Sequence, residues 1–183
     1  MNHLKPQDLL VLLKAAAHPE ERLSYAALGV ALGMSASEVH ASVRRALGSG
    51  LAVGGERGAW SPVRPTLLEF MRSGVRYVWP AVQGPVGRGI PTAYAVEPLV
   101  RQLAMGPDEV PVWADAKGRA KGPTITPLYR SAPAAALKDP ALHQLLALQD
   151  ALRIGRVRER KLASELLQER LLPTGYSGRL HAS

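Results

Sequence analysis

The chain has 183 residues, 46% of them hydrophobic and 21% charged, values typical of a globular protein of one or two domains. It contains no cysteine, which excludes disulfides, thiolate catalysis and cysteine-ligated zinc or iron–sulfur clusters. The formal net charge is +8, which favours polyanionic partners, nucleic acid more than an anionic membrane surface.

The first part of the chain predicts two short helices. Proline suits a first helical turn because its missing N–H costs nothing there, so we expect a helix over residues 6–17. Its apolar run from Leu9 to Leu13 is too short for a signal peptide or a membrane span. Ser24 is a capping residue for the second helix. Gly33 ends that helix, since glycine tolerates the left-handed conformation at a helix C-terminus.

A third helix is predicted from Ser35 to Gly48. Ser35 and Glu38 form an S-x-x-E capping box, in which each side chain satisfies a backbone N–H at the helix start. Apolar residues that recur at helical spacing form a buried stripe, namely Val39, Val43, Ala46 and Leu47. The opposite face carries small, polar and cationic residues, namely Ser37, Ala41, Arg44 and Arg45.

A short hairpin is predicted next. Leu51 to Val53 and Ala59 to Ser61 have strand character, and the glycine-rich turn between them carries Arg57. Beyond the hairpin, the apolar residues between Thr66 and Ser73 indicate another helix, with Gly74 as its cap.

Three helices followed by a hairpin with a basic tip resemble the winged helix-turn-helix domains of MarR-, ArsR- and IclR-type bacterial regulators. The resemblance covers roughly residues 5–65 and implies that Ser35 to Gly48 is a recognition helix with Arg57 on the wing. Small side chains let such a helix approach a major groove, and arginine reaches phosphate oxygens or guanine edges. The expected DNA contacts are therefore Ser35, Ser37, His40, Ala41, Arg44, Arg45 and Arg57. The alternative is an ordinary helical hairpin with a solvated face.

The region from Val75 to Arg130 predicts a small α+β domain. Its expected strands are residues 75–79, 110–114 and 124–126, and a short helix is expected over residues 97–105. The glycines of the segment from Gln83 to Pro91 resemble a phosphate-binding loop only superficially. Such a loop requires a helix immediately after it, which Ile90 and Pro91 do not offer, so the segment is predicted to be a flexible connector.

Two groups of side chains in this region each allow a functional and a structural interpretation. The first is a basic strip that suits either a DNA backbone or a solvated loop, formed by Lys117, Arg119, Lys121 and Arg130. The second is aromatic and either lines a ligand pocket or, as we favour, fills a small core. Its members are Tyr77, Trp79, Tyr94 and Trp113.

The rest of the chain is predicted to be helical. A short helix is expected near Pro133, and Asp139 followed by Pro140 is a helix start signal. Gly155 separates that helix from a final one ending at Leu172. These leucine-rich helices, from Asp139 to Leu172, are the expected oligomer surface. The densest basic cluster is either a phosphate-contacting or partner-docking surface or, as we favour, a solvated helix face. It comprises Arg153, Arg156, Arg158, Arg160 and Lys161.

These elements predict an α+β, mostly α fold in three parts. A winged helix-turn-helix domain is expected over residues 1–74, a small α+β domain over 75–130, and a helical segment suited to dimerisation over 131–183. Residues 1–74 hold eight Lys or Arg against six Asp or Glu, whereas residues 75–183 hold fifteen against nine. Most of the excess positive charge therefore lies outside the helix-turn-helix.

The leading hypothesis is a sequence-specific transcriptional regulator that binds double-stranded DNA as a homodimer, in the cytoplasm and associated with the nucleoid. Dimerisation is expected because two half-sites multiply the few contacts that one helix can make. One alternative is an antitoxin or accessory subunit of a protein encoded in the same operon. Another is a non-specific nucleic-acid-binding protein, which would show steep salt dependence. No histidine has metal-ligand spacing and no catalytic constellation is evident, so no enzyme, metal or cofactor is predicted.

Overall fold

The computed structural model describes residues 3–103, 106 and 110–175, except for the side chain of Arg57. The fold is α+β and mostly helical, as the sequence predicts. Its helices are α1 (Pro6–Ala17), α2 (Tyr25–Leu32), α3 (Ala36–Gly48), α4 (Arg64–Ser73), α5 (Val75–Val78), α6 (Ala132–Lys138), α7 (Pro140–Ile154) and α8 (Val157–Leu171). Its strands are β1 (Ala52–Gly54), β2 (Trp60–Pro62), β3 (Gln83–Pro91), β4 (Val112–Ala114) and β5 (Ala120–Ile125). None of the helices in these ranges is long and apolar enough to cross a membrane.

The first three helices begin and end where the sequence signals predict. The Ser24 hydroxyl accepts a hydrogen bond from the Ala27 N–H at 3.2 Å and so caps α2. Gly33 ends α2 in the left-handed conformation, with φ of 64°. Gly29 allows the turn to fold back tightly, because a Cβ atom there would lie 2.6 Å from the Met34 carbonyl oxygen. The local rules of helix capping therefore fix this part of the fold.

The predicted hairpin is also present, shifted by one residue. Strands β1 and β2 are antiparallel, with Val53 opposite Ser61. A single 3-10 turn, Glu56–Gly58, forms the tip. The hairpin packs beside α1 and α3, so three helices and a two-stranded sheet make up the first part of the chain.

The segment after α4 differs from its prediction. Residues 75–79 are predicted to be a strand, but Val75–Val78 form a short helix that continues the turn at Gly74. Only Val75 of this helix is buried, whereas Tyr77 and Val78 are exposed. The β-branched and aromatic composition that favours a strand is overridden by tertiary packing, because the segment lies against the helices α4 and α7.

The glycine-rich segment predicted as a loop is β3, the longest strand in the described ranges. Its first part pairs with β5 and its last part with β4, both antiparallel, and Gly89 takes part in both pairings. A parallel pairing of β4 with β5, Val112 beside Thr124, closes the three strands into a small barrel. The expected helix over residues 97–105 is a 3-10 turn, Leu99–Arg101, and its residues 104 and 105 lie outside the described ranges.

Close backbone contact explains why a strand contains so many glycines. A Cβ atom at Gly89 would collide with the Trp113 carbonyl oxygen, and one at Gly122 with the carbonyl oxygen of Val110. A Cβ atom at Gly118 would overlap the backbone of Gly89. Three strands close into a barrel only when backbones approach this tightly, and glycine permits that approach.

The three predicted regions share one apolar core. Leucines of α1, α7 and α8 belong to a single buried cluster with α2, α3, α4 and the barrel residue Trp113. Most leucines of α7 and α8 are buried inside their own chain, Leu146 and Leu167 completely, whereas Leu162 is half-buried. The buried leucines are not available to a second copy of the chain, because these two helices pack against each other and against α1 and α4.

A buried polar network fastens the barrel to α7. The completely buried Asp150 carboxylate accepts hydrogen bonds from the Trp113 indole at 2.7 Å and the Thr92 hydroxyl at 2.8 Å. Arg153 donates to its second oxygen at 2.9 Å and to the Trp79 carbonyl oxygen at 2.8 Å. Burial raises the pKa of Asp150, whereas Arg153 and the two neutral donors oppose this effect.

Candidate nucleic-acid interface

The candidate interface is the solvent-facing side of α3. The helix starts with the predicted capping box, in which the Ser35 N–H donates to the Glu38 carboxylate at 2.8 Å and the Glu38 N–H donates to the Ser35 hydroxyl at 3.2 Å. Val39, Val43 and Ala46 pack inwards as predicted, which turns the other side of the helix towards solvent. Leu47, predicted to be in this buried stripe, is 36% exposed.

The solvent-facing side brings together most of the residues predicted to contact DNA. Ser35, Ser37, His40 and Arg44 are exposed, and Ala41 between them is half-buried. The Ser37 hydroxyl lies 3.1 Å from that of Ser35. His40 packs against the Tyr25 ring of α2 at 5.2 Å between ring centroids. These residues lie along one side of the helix because their spacing follows its period.

Arg44 is the exposed cation of this stripe. Within the part of the chain that the structure describes, it makes no hydrogen bond or ion pair. Its guanidinium therefore keeps all its donors available to an external acceptor.

Arg45 does not lie on the outer face beside Arg44, and the prediction that it does is corrected. Its guanidinium donates to both carboxylate oxygens of Asp8, at 2.8 and 2.6 Å, and to the Ser42 hydroxyl at 3.2 Å. Its side chain is only 12% exposed and that of Asp8 is completely buried. The hydrogen bonds to Asp8 raise the pKa of Arg45. Consecutive helical residues point about 100° apart, so two neighbouring arginines reach different surroundings.

Asp8 is the residue that sequence analysis missed. It also accepts a hydrogen bond from the Lys5 N–H at 2.8 Å and so completes the N-terminus of α1. A carboxylate directly before an apolar run was the available signal, but its partner lies 37 residues away in the sequence. A capping pattern identifies the role of Asp8 at the start of α1 and gives no information about its ion pair with Arg45.

The wing residue is placed only in part. Arg57 lies in the turn Glu56–Gly58 at the tip of the β1–β2 hairpin, as the sequence predicts. Its side chain lies outside the described structure, so its direction is not part of the site's geometry.

The segment before α6 borders the start of α3. Hydrogen bonds from Ser35 lower the pKa of Glu38, and the positive charge of Arg130 and a hydrogen bond from Tyr129 add to this effect. A Cβ atom at Gly33 would lie 3.3 Å from that of Ser131. Arg130 of the predicted basic strip therefore stands next to the candidate interface.

The other members of the basic strip lie around the barrel. Lys117, Arg119 and Lys121 are exposed, and Lys121 pairs with Arg88 on the neighbouring strand β3. Arg88 lies outside the predicted strip because the sequence predicts a loop for its segment.

The basic cluster near α8 separates into two groups. Arg153 is buried in the Asp150 network, and Arg160 donates to the Gly155 carbonyl oxygen at 2.9 Å. Arg156, Arg158 and Lys161 are exposed, in agreement with a solvated helix face.

The aromatic group does not form one cluster. Trp113 is buried in the core and Tyr77 is exposed. Trp79 packs edge-on against Phe70 at 5.6 Å between ring centroids. For Trp113 the core interpretation is therefore the correct one.

One polar cluster has the composition of a metal site. His18, Glu20 and Glu21 place potential ligand atoms within 4.8 Å of one another. However, the His18 imidazole already lies 2.8 Å from the Asp139 carboxylate, which also accepts a hydrogen bond from the Lys14 ammonium at 2.7 Å. His18 therefore forms an internal link between the end of α1 and the start of α7.

Comparison with known proteins adds no assignment: no family model, curated protein or solved structure matches this chain.

Proposed function

We propose that the protein is a sequence-specific DNA-binding transcriptional regulator, in which α3 enters the major groove and the β1–β2 hairpin acts as a wing. The observation that carries this proposal is the exposed stripe of α3. It combines small side chains with one arginine whose donors are all available, and a hairpin with a cation at its tip follows directly in the chain. Small residues allow close approach to base edges, and arginine is the most common reader of guanine.

The proposal includes a homodimer. A single recognition helix makes few base contacts, so two copies on half-sites about one helical turn apart are needed for high affinity. Most leucines of α7 and α8 are buried within the chain, so the dimer contact must use other residues.

The proposal is tested by selecting bound duplexes from a random pool with the full chain. The recovered site and a scrambled duplex are then titrated at one fixed salt concentration. Arg44→Ala should weaken binding to the recovered site by about 1–3 kcal/mol, because a bidentate contact to a base is lost. Binding to the scrambled duplex should change much less.

Arg158→Ala is the matched control, since Arg158 is an exposed arginine on α8. It removes the same charge from a helix that is far from α3 in the sequence. Equal wild-type affinity for the recovered and scrambled duplexes would refute the regulator hypothesis. If Arg44→Ala and Arg158→Ala behaved alike, α3 would not be the recognition helix.

A second candidate function is supported by a different surface. Four apolar side chains that follow one another along α5 and the start of β3 are strongly exposed: Tyr77, Val78, Val82 and Val86. We infer that these four side chains form one exposed apolar patch, which is typical of a protein–protein contact. This favours an accessory subunit or antitoxin that binds a protein encoded in the same operon.

The test of this candidate is co-purification with the products of neighbouring genes. The double variant Tyr77→Ser, Val82→Ser should lose a complex that the wild type forms on gel filtration. Val157→Ser is the control, because Val157 is as exposed as Tyr77, at 74%, but lies on α8. A complex that survives the double variant would exclude this surface.

A further inference from the structure

The outer side of the barrel carries a second concentration of positive charge. We call it the basic face and define it as Arg88 of β3, Lys121 of β5, and Arg119 and Lys117 of the turn before β5. All four side chains are exposed. In the described part of the chain, none of them forms an ion pair or donates a side-chain hydrogen bond.

Two of these cations lie directly opposite each other. The antiparallel register of β3 and β5 pairs Arg88 with Lys121. Side chains opposite each other on an antiparallel pair have Cβ atoms about 5 Å apart, and like charges there destabilise the sheet. The fold therefore keeps a like-charge pair that lowers the stability of the sheet, and a surface that is merely solvated has no need of such a pair.

The strand alternation keeps this charge on one side of the sheet. Gly89 and Gly122, the neighbours of Arg88 and Lys121, are buried where backbones approach closely. The cations must consequently point outwards. The nearby Asp115 carboxylate accepts a hydrogen bond from the Lys117 N–H at 2.7 Å and so belongs to the turn.

We propose that the basic face binds the phosphate backbone of double-stranded DNA and supplies sequence-independent affinity to the duplex that α3 reads. This inference rests on the proposed function for its ligand. Exposed cations that have no ion-pair partner among the described residues, two of them directly opposite each other, suit the regular negative charge of a duplex, from which they release condensed counterions.

The position of the basic face in the chain is compatible with one duplex reaching both surfaces. The nine residue steps from Lys121 to Arg130 span at most about 32 Å. Arg130 directly precedes Ser131, and a Cβ atom at Gly33, in the turn before α3, would lie 3.3 Å from that of Ser131. Lys121 therefore lies no more than about one helical turn of DNA from a cation next to this turn.

The experiment measures the salt dependence of binding to a labelled random-sequence duplex of about three helical turns. Full-length wild type is compared with the triple variant Arg88→Gln, Arg119→Gln, Lys121→Gln. If each cation neutralises one phosphate, the slope of log affinity against log salt should fall by about 2.7. The affinity at about 0.1 M salt should fall by about 10-fold or more.

The matched control is Arg156→Gln, Arg158→Gln, Lys161→Gln, which removes the same charge from the exposed side of α8. Its slope should change by less than about one. If both triple variants gave the same slope, only net charge would matter and the basic face would not be a DNA contact. An unchanged duplex slope, with binding to acidic protein or anionic vesicles lost instead, would assign the face to that ligand and overturn the inference.

The two proposals fail separately in this design. If Arg44→Ala loses the preference for the recovered site while the triple variant of the basic face keeps the wild-type salt slope, the basic face is refuted and the recognition helix stands. If the triple variant has a reduced salt slope but the wild type prefers no site, the regulator is refuted and the basic face stands. A wild type that binds no duplex refutes both.

Discussion

The N-terminal helices and the barrel are each fastened by a buried aspartate that binds an arginine, but the two pairs have different roles. Asp8 binds one arginine through both oxygens and ties α1 to α3. Asp150 collects donors from Thr92, Trp113 and Arg153. The first pair joins helices that already share an apolar core of leucines from α1 and valines from α3. The second holds a glycine-rich barrel with few large apolar side chains of its own.

The two anchors differ in how much positive charge they leave exposed to solvent in each region. In α3 one of two neighbouring arginines, Arg45, is bound to Asp8, whereas Arg44 has no ion-pair partner among the described residues. Around the barrel both members of the charged pair, Asp150 and Arg153, lie on α7, so the cations of the strands and turn remain outside. The pair with Asp8 removes one cation from the surface of the N-terminal helices. The barrel is held by a charged pair that lies on α7, so its own cations stay exposed.

The largest expected effect comes from removing the barrel's anchor. Asp150→Ala leaves the buried Arg153, the Trp113 indole and the Thr92 hydroxyl without their acceptor. The free energy of unfolding should fall by about 3–5 kcal/mol, measured by urea denaturation of the full chain. A loss below about 1 kcal/mol would mean that apolar packing, and not the network, holds the barrel.

The N-terminal pair should show a slightly smaller effect. Asp8→Ala leaves the guanidinium of Arg45 without its carboxylate and should destabilise the protein by about 3 kcal/mol. A double-mutant cycle with Arg45→Met isolates the coupling between the two side chains. Arg44→Ala is the control and should change stability by less than about 0.5 kcal/mol. Equal destabilisation by Arg44→Ala and Arg45→Met would contradict the separation of the two arginines.

A third aspartate, less isolated from solvent, should make stability depend on acid pH. Burial raises the pKa of Asp139, but hydrogen bonds from Lys14, the Leu142 N–H and His18 outweigh this and leave it below its ordinary value. The resulting stability is present above about pH 4, the range of an unfolded aspartate. It is lost as the pH falls through the lower pKa of the folded state.

Asp139→Asn separates this charge from the helix cap, because asparagine also caps helices. The variant should be about 2 kcal/mol less stable than wild type at pH 7, and the difference should shrink as the pH falls below about 4. Denaturant midpoints measured from pH 2 to pH 7 give this difference directly. A difference that stays constant over the series would place the contribution in the cap alone.

The smallest effect has the opposite sign. Arg88→Thr removes one member of the like-charge pair and introduces a residue that favours strands, so stability should rise by about 0.2–1 kcal/mol. Lys121→Thr should do the same, and the double variant should gain less than the sum, because the repulsion is removed only once. Additive gains would show that the two cations do not interact.

The N-terminal fold was predictable because its signals are local. Ser24, Gly33 and the Ser35–Glu38 capping box each act within one helical turn, and each lies where the sequence places it. The barrel was not predictable in the same way. Gly84, Gly87 and Gly89 disfavour a strand locally, and only the tight closure against β4 and β5 makes glycine necessary there.

The candidate site was likewise predicted only in part. Helical period alone identifies the exposed positions Ser37, His40 and Arg44. It does not reveal that Arg45 has a partner on α1, because that pairing depends on how two helices pack. The hypothesis that both arginines face the groove therefore failed for the one with a distant carboxylate within reach.

The closely packed glycines of the barrel also determine how its sequence can change through evolution. Any side chain at positions 89, 118 or 122 would collide with backbone atoms, so descendants that keep this barrel must keep glycine there. Positions 88, 119 and 121 face solvent and are free to exchange lysine for arginine. Distant homologues should therefore be sought by the spacing of these three glycines, since the apolar pattern of the surrounding strands is too short to identify them.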